Sequence, residues 1–343
     1  MTISDITLRL FPLLLFASIT SAQDTAKRIG AIEFFGYSGF DVTKIRASLP
    51  IREGDSFNAT DVTVFETIDR IRQAVKTSSG KLPTDVAPVC CDTRGNYIIF
   101  IGLAGNSTVN ASYNAVPTGT VRLPPATVNL YTELMDLSSS LVSQGRATED
   151  RSKGYALSTD ENLRTKQLEA RSFAMKHQQL LSQVLHTSAD PEQRTVAAHF
   201  MGYARQSRSQ IADLVWASRD AHDGVRNNAI RALGVLAESN SKIAGQIPPE
   251  PFIKMLESGV WTDRNKGGYV LEQISKSHSA KLLRLLRAQA LEGLIEMAHW
   301  RSGGHAASAR TILGRIAGID ESRLRQMIAA GEIEQIIDAV KKK

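Results

Sequence analysis

The chain has 343 residues, 42% of them hydrophobic and 22% charged, with only two cysteines. These values exclude a collagen-like or wholly disordered chain and a membrane bundle, and they leave room for two domains or for one small domain plus a repeat array. The net charge of +6 is uneven: residues 161–343 hold 26 Lys/Arg against 19 Asp/Glu, while residues 1–160 hold 15 against 16. A mildly basic C-terminal half suits acidic proteins, anionic lipid or nucleic acid, and it equally suits the solvated surface of long helices.

At the start of the chain, Arg9 precedes an apolar run over residues 10–17, which is followed by Ser18-Ile-Thr-Ser-Ala22. A short apolar core ending in small residues predicts a secretory signal over residues 1–22, cleaved near Ala22. The run falls short of the about 20 apolar residues that span a bilayer, and no later stretch reaches that length. The expectation is an exported protein, periplasmic or extracellular, with no integral membrane span after cleavage.

Residues 28–104 read as a small α+β unit. Ile29, Ala31, Phe34 and Phe35 lie in a strand-like run stopped by Gly36-Tyr-Ser-Gly39. Asp41 can cap a short helix over 42–49, which Pro50 follows. Asn58 or Thr60 can cap a second helix, with Val62, Phe65, Ile68, Ile71, Arg72 and Val75 spaced for one buried face. Two strands, over 86–91 and 97–103, then form a hairpin across Asp92-Thr-Arg-Gly95.

The order β-α-α-β-β resembles a POTRA domain, the module found before outer-membrane barrels. The likeness is carried by Ile32-Glu-Phe-Phe-Gly-Tyr37, by Ile51-Arg-Glu-Gly-Asp-Ser-Phe57 between the helices, and by the hairpin. The resemblance implies binding of partner chains by strand addition at a sheet edge. The rest of the chain reads as helical, so it implies no barrel.

Cys90 and Cys91 are adjacent in sequence. Neighbouring Cα atoms lie about 3.8 Å apart across a trans peptide, whereas disulfides favour roughly 4.4–6.8 Å. Side chains at successive strand positions also point to opposite faces. The expectation is a pair of structural thiols, with a reactive or intermolecular role as the other possibility. Asn58-Ala-Thr60, Asn106-Ser-Thr108 and Asn110-Ala-Ser112 fit the glycosylation tripeptide and are read as turn chemistry.

Residues 105–160 read as a linker. Residues 105–127 are rich in Asn, Ser, Thr, Gly and Pro, which is loop composition. A helix is expected over 127–142, with Leu130, Leu134, Leu137 and Leu141 on one stripe, and residues 143–158 form a second polar loop.

Over residues 161–343 one pattern recurs. In Asp223-Gly-Val-Arg-Asn-Asn-Ala-Ile-Arg-Ala-Leu-Gly-Val-Leu-Ala237, residues Val225, Ala229, Ala232, Leu233 and Leu236 line one helical face. A shift of 32 residues back places Arg194 on Arg226, Ala197 on Ala229 and Gly202 on Gly234; a shift of 38 forward gives Arg264, Gly267, Val270, Leu271 and Ile274. A shift of 80 gives Ala309, Ile312, Leu313, Gly314 and Ile316. Partner helices lie between, over 172–185, 210–217, 251–256 and 282–298, and a tail split by Gly331 caps the array.

Asp223-x-x-Arg226-x-x-Ala229-x-x-Ala232-Leu-Gly234 resembles the second helix of a HEAT repeat, within the armadillo-like class of paired helices. The resemblance implies an α-α superhelical solenoid, with small residues allowing close helix approach and an Asp/Arg pair tying neighbouring repeats. The predicted fold class is therefore multidomain and mainly α: a small β-α-α-β-β domain followed by a C-terminal HEAT-type solenoid.

No cofactor, metal or catalytic motif accompanies this pattern. Histidines 177, 186, 199, 222, 278, 299 and 305 are scattered, and none is followed by Glu. There is no His-Glu-x-x-His helix, Gly-x-Ser-x-Gly elbow or phosphate-binding loop. The predicted function is non-enzymatic: an exported scaffold or adaptor that holds a protein or peptide partner, in the cell envelope or outside the cell, through the helical-repeat surface. The candidate contact residues are Arg194, Arg226, Arg264, Trp216, Trp261 and Trp300, the tryptophans being either inter-repeat packing or exposed anchors. The alternative is an enzyme of the lyase or isomerase kind with a small-ligand pocket on the concave face. A nucleic-acid partner is not expected in an exported protein.

Overall fold

The structure is a computed structural model, and it describes residues 27–58, 63–109 and 112–343. The expected signal segment, Thr60, Val62 and Asn110 lie outside the described residues.

The N-terminal part follows the expected order: strand β1 (Ile29–Phe35), helices α1 (Val42–Ser48) and α2 (Thr63–Ser79), then strands β2 (Asp85–Cys90) and β3 (Tyr97–Gly102). The Asp41 carboxylate accepts from the Thr43 and Lys44 amides at 3.0 and 3.1 Å and so starts α1. The sheet order is β1-β3-β2, with β1 parallel and β2 antiparallel to the central β3. In α2 the core residues are Val64, Ile71 and Val75, while Phe65 is 70% exposed. The spacing argument had Phe65 inward; Val64, its neighbour, takes the core position instead.

β3 reads as a nearly unbroken apolar run because both faces of the sheet are covered. On one face Ile32, Phe34, Ile99 and Ile101 pack with Ile45, Leu49, Ile71 and Val75 of the two helices. On the other, Ala31, Phe35, Ile98 and Phe100 join the core of the helical repeats. The sheet is thus sandwiched, and its second face is built on the rest of the chain.

The segment expected to be a linker is a strap tied along the repeats. The Val109 amide donates to Glu257 O (2.8 Å), Asn114 N to Arg219 O (2.7 Å) and Gly119 N to Thr187 O (2.7 Å). Loop composition carries no pairing pattern, so these long-range bonds are invisible in the sequence; they exist because an extended backbone needs partners and the repeat turns supply them. At Gly119 an added Cβ would lie 2.6 Å from Thr187 O, so the close approach requires glycine. The strap leads into α3 (Pro125–Ser143), and a short hairpin of β4 (Glu149–Asp150) and β5 (Leu157–Ser158) follows where a polar loop was expected.

The repeats then run as α4 (Glu161–Thr187), α5 (Pro191–Met201), α6 (Arg208–Ala217), α7 (Asp223–Ser239), the single turn α8 (Ser241–Ala244), α9 (Glu250–Met255), α10 (Trp261–Ser275), α11 (Ala280–Ala298), α12 (Gly303–Ala317), α13 (Glu321–Ala329) and α14 (Ile333–Lys341). Side-chain caps start many of them: Asp160, Asp190, Ser207, Ser279 and Asp320 each accept first-turn amides. Helices α5, α7, α10, α12 and α14 stack as one layer, each paired with the helix before it in the other layer. This is a helical-repeat solenoid. Gly234 of α7 leaves room for Tyr269 of α10, since an added Cβ would meet the Tyr269 ring at 2.2 Å. The tail helices α13 and α14 form a fifth pair among the described residues.

A ladder of buried ion pairs crosses the repeats. Arg194 grips Asp220 through two bonds (2.7 and 2.9 Å), Arg226 reaches Asp263 (2.8 Å), and Arg264 reaches Glu296 (2.8 Å). Each arginine pairs with an acid further along the stack, so neighbouring repeats are tied by Arg–acid pairs as expected, but through Asp220, Asp263 and Glu296 and not through Asp223, which is exposed. The same guanidiniums also hold loop carbonyls, Arg194 those of Ser188 and Ala189, and Arg226 those of Asp220 and Ala221. Removing one member of a buried pair leaves the other charged and uncompensated, at a cost of about 3–5 kcal/mol. Arg226→Ala is expected to lose about that much in urea unfolding, while Arg226→Met combined with Asp263→Leu recovers most of it. A double variant no more stable than Arg226→Ala would contradict this view of the ladder.

Candidate functional site

The six candidate residues divide sharply. Arg194, Arg226 and Arg264 are 1%, 2% and 0% exposed. Their donors are committed to the ladder, so they are not partner contacts, which corrects the sequence expectation. Trp261 and Trp300 are also buried, because the sheet covers them. Their rings pack on Phe100 at 5.0 and 4.9 Å, and Trp300 Nε1 donates to Phe34 O at 3.1 Å. They fasten the sheet to the solenoid and have no surface to offer a partner.

Trp216 is different. It is half-buried and stacks on His186, with centroids 5.0 Å apart and planes at 27°. His186 Nε2 is held by Asp213 Oδ1 at 2.9 Å, and Ser182 donates to the same oxygen at 3.1 Å. The tryptophan lines a groove of about 530 Å³ together with Ile211, Ala212, Val215 and Pro248, with Arg208 and Arg219 at its rim. Both arginines are exposed and form no ion pair among the described residues.

The groove follows from spacing. Residues 208, 211, 212, 215, 216 and 219 fall at i, i+3, i+4, i+7, i+8 and i+11, one stripe of α6 and its end. The buried stripe is Gln210, Ile211, Leu214 and Ala217. The two share only Ile211, so α6 is apolar over a wider arc than it buries. Counting both stripes would have found the groove in the sequence; Pro248 enters from the loop after α8, which no helical spacing indicates.

A second groove, of about 1300 Å³, lies between the β2–β3 turn, the end of α3 and the start of α12. Arg94, Arg151, Arg301 and His305 line it, and so do Cys90 and Cys91. The two cysteines form a disulfide. This overturns the expectation of separate thiols on opposite faces: β2 ends at Cys90, so strand alternation does not govern Cys91. Lys27 Nζ sits 3.6 and 3.7 Å from the two sulfurs.

Two histidines are held toward the neutral form. His305 is pulled down to about 4 by burial and by the Lys266 charge. His199 is pulled down to about 3, by burial first and then by Arg231. His199 is partly exposed as a residue, but its Nε2 is sealed without a hydrogen-bond partner among the described residues. The sealed nitrogen decides the cost of protonation. Beside it, Tyr203, Asn228 and Arg231 line a pocket of about 20 Å³, room for one water. Among the described residues no group of three or more His, Cys, Asp or Glu is placed to hold a metal ion, and no helix is long and apolar enough to cross a membrane.

No protein-family model and no curated protein matches the chain. Among solved structures, it is similar to computationally designed armadillo repeat proteins for modular peptide recognition, at 16% identity, over 64% of this chain and 98% of that one, with a TM-score of 0.37.

His199 generates a pH prediction. In the unfolded chain a histidine takes up a proton below about 6.5, whereas in the fold His199 stays neutral down to about 3. Stability is therefore fully present above pH 6.5 and is lost as pH falls toward 3, by up to about 1.4 kcal/mol per pH unit. Replacing His199 with Phe is expected to flatten the pH dependence of urea unfolding between pH 6.5 and 4. Parallel curves for the two proteins would refute it.

Proposed function

We propose that this protein is a non-enzymatic scaffold that binds a segment of a protein partner in the Trp216 groove on α6. The observation that carries the reading is the pairing of a half-open aromatic floor with two rim arginines that have no acid partner among the described residues. An aromatic side chain in a partly dry groove is the usual anchor of a binding hot spot. Uncommitted guanidiniums at the rim select and steer carboxylates. The matching occupant is an acidic segment that presents one aliphatic or aromatic side chain between its carboxylates.

The finer readings belong with this proposal. Export to the periplasm or the cell exterior is supported by the signal-like sequence of residues 1–22 and by the disulfide, a bond that persists in oxidising compartments. A HEAT-type identity is supported by the paired helices and the recurring Arg-Ala-Gly positions. A POTRA-like role would fall on β2. The outer side of β1 is occupied, since Glu53 accepts from the Ile32 amide while Trp300 and Arg301 donate to the carbonyls of Phe34 and Ile32. Pro88 removes one donor from the β2 edge, which limits strand addition there.

Two measurements test the reading. Selection from a random dodecamer display library is expected to enrich peptides with acidic residues around one apolar side chain. Their affinity should fall by about 30-fold or more in Trp216→Ala, the loss of a hot spot worth about 2 kcal/mol. In the charge-reversed Arg208→Glu/Arg219→Glu protein, the same library should lose its acidic preference. Peptides that bind Trp216→Ala as well as the parent would sink the proposal. Export is tested by the intact mass of the native protein, which should correspond to a chain starting at Gln23 and carrying one disulfide; an N-terminus at Met1 would rule it out.

A further inference from the structure

The groove between the β2–β3 turn, the end of α3 and the start of α12 carries a reactive bond on its wall. Cys90 and Cys91 are both half-buried and both line it, so their disulfide borders about 1300 Å³ of open space. A disulfide stabilises a fold mainly by closing a loop, and the effect grows with the number of residues enclosed. Here the sequence separation is 1, so the bridge encloses no residue. It cannot staple distant parts of the chain together, and a chemical role is what its position leaves.

Two cations that pair with no acid among the described residues attend the bridge. Lys27 Nζ lies 3.6 Å from Cys90 Sγ and 3.7 Å from Cys91 Sγ. The lysine is held at both ends: its carbonyl accepts from the Phe57 amide at 2.8 Å, and its ammonium lies 5.5 Å from the Tyr97 ring centroid. Arg94, exposed in the β2–β3 turn, lines the same groove. The other lining arginines are taken, Arg151 by Glu149 and Glu238, Arg301 by Glu33 and Glu53. Asp92 is the one acid among the lining residues, and its carboxylate accepts from the amides of Arg94 and Asn96 at 2.8 and 2.9 Å. Gly95, Gly145, Gly303 and Gly304 leave three walls bare, with nothing within 4 Å of where a Cβ would stand. Clefts formed where two parts of a chain meet are common small-ligand sites.

We propose that the Cys90–Cys91 disulfide is a thiol–disulfide exchange site for a small thiol that carries carboxylates. The site is independent of the α6 groove. The thiolate of the incoming ligand attacks one cysteine sulfur. The S–S bond breaks, its electron pair leaves on the other sulfur as a thiolate, and a mixed disulfide joins ligand and protein. A second ligand thiolate attacks the ligand sulfur of that mixed disulfide and expels the first cysteine as a thiolate. Two ligand thiols are thereby oxidised to one ligand disulfide, and their two protons and two electrons leave the protein with two thiols. Lys27 stands almost equally near both sulfurs, so its ammonium meets the expelled thiolate whichever sulfur is attacked. A stabilised thiolate is the better leaving group. Arg94 draws the carboxylates of the ligand toward the groove.

The test uses the native protein with its bridge intact and two probes at matched thiolate concentration: glutathione, which carries two carboxylates, and 2-mercaptoethylamine, which carries only an ammonium. Samples are quenched in acid, alkylated and weighed by mass spectrometry. The bridge should open in the folded protein, severalfold faster with glutathione, and the difference should shrink as salt is raised. Lys27→Gln should slow opening by both thiols about 10-fold, whereas Arg94→Ala should slow glutathione alone. Lys44→Gln, which removes an exposed charge on α1, should leave both rates unchanged. The unfolding temperature separates this role from a structural one: the reduced protein should keep that of the oxidised protein within about 2 °C, because no loop is released. A bridge that opens only once the protein unfolds, a Lys27→Gln protein that reacts as fast as the parent, equal rates with the two thiols, or a larger fall in unfolding temperature on reduction overturns the proposal.

Discussion

Three buried arginines, each paired with an acid further along the stack, set the geometry of this protein. A guanidinium in the interior is tolerated only when its donors are filled in a fixed fork. Here Arg194 and Arg226 do more than neutralise Asp220 and Asp263. They also tie down the carbonyls of the loops between helices. The loops are where a helical stack could slip, so the rungs fix the turn of each helix pair against the next. The third rung reaches beyond the repeats. Glu296 accepts from Arg264 and also from the amides of Gly36 and Tyr37 (2.7 and 2.9 Å) and from Ser107 Oγ (2.6 Å). One carboxylate thereby joins the solenoid, the end of β1 and the start of the strap.

That arrangement decides which surfaces are left for a partner. The sheet lies on Trp261 and Trp300, the strap runs past Tyr113, whose ring covers Arg226 at 4.2 Å, and α3 bonds to α7 through Tyr131 and Asn228. Faces that look available in a bare array of repeats are closed by the chain's own N-terminal half. The α6 stripe keeps its aromatic half open, and its rim charges pair with no acid among the described residues. Its position is itself set by the ladder, because Asp220, three residues after α6, is the acid that Arg194 holds.

Much of this was readable from residue spacing. The recurrence of Arg194, Arg226 and Arg264 with small residues behind them predicted the second-layer helices, and the apolar runs between turn signals predicted the β-α-α-β-β succession. The burial of those arginines was not readable. Residue type places arginine at the surface by default. The acids that bury it lie 26, 37 and 32 residues further on, at a loop, a helix start and a helix end, so no constant offset announces them. The strap was hidden for a similar reason: its bonds run from backbone to distant backbone and leave no trace in side-chain pattern. Trp216 was singled out by its place near a helix end together with Trp261 and Trp300, yet only the structure separates the open ring from the two that the sheet covers.

The most direct test of the α6 assignment is made in the producing cell, with a photo-reactive amino acid at Ala212, inside the groove. Irradiation should link it to one protein through an acidic segment with an apolar side chain, and the link should vanish when Trp216 is replaced by Ala in the same chain. A product that survives that replacement, or that maps to a segment lacking acidic residues, would contradict the assignment and move the partner surface away from α6.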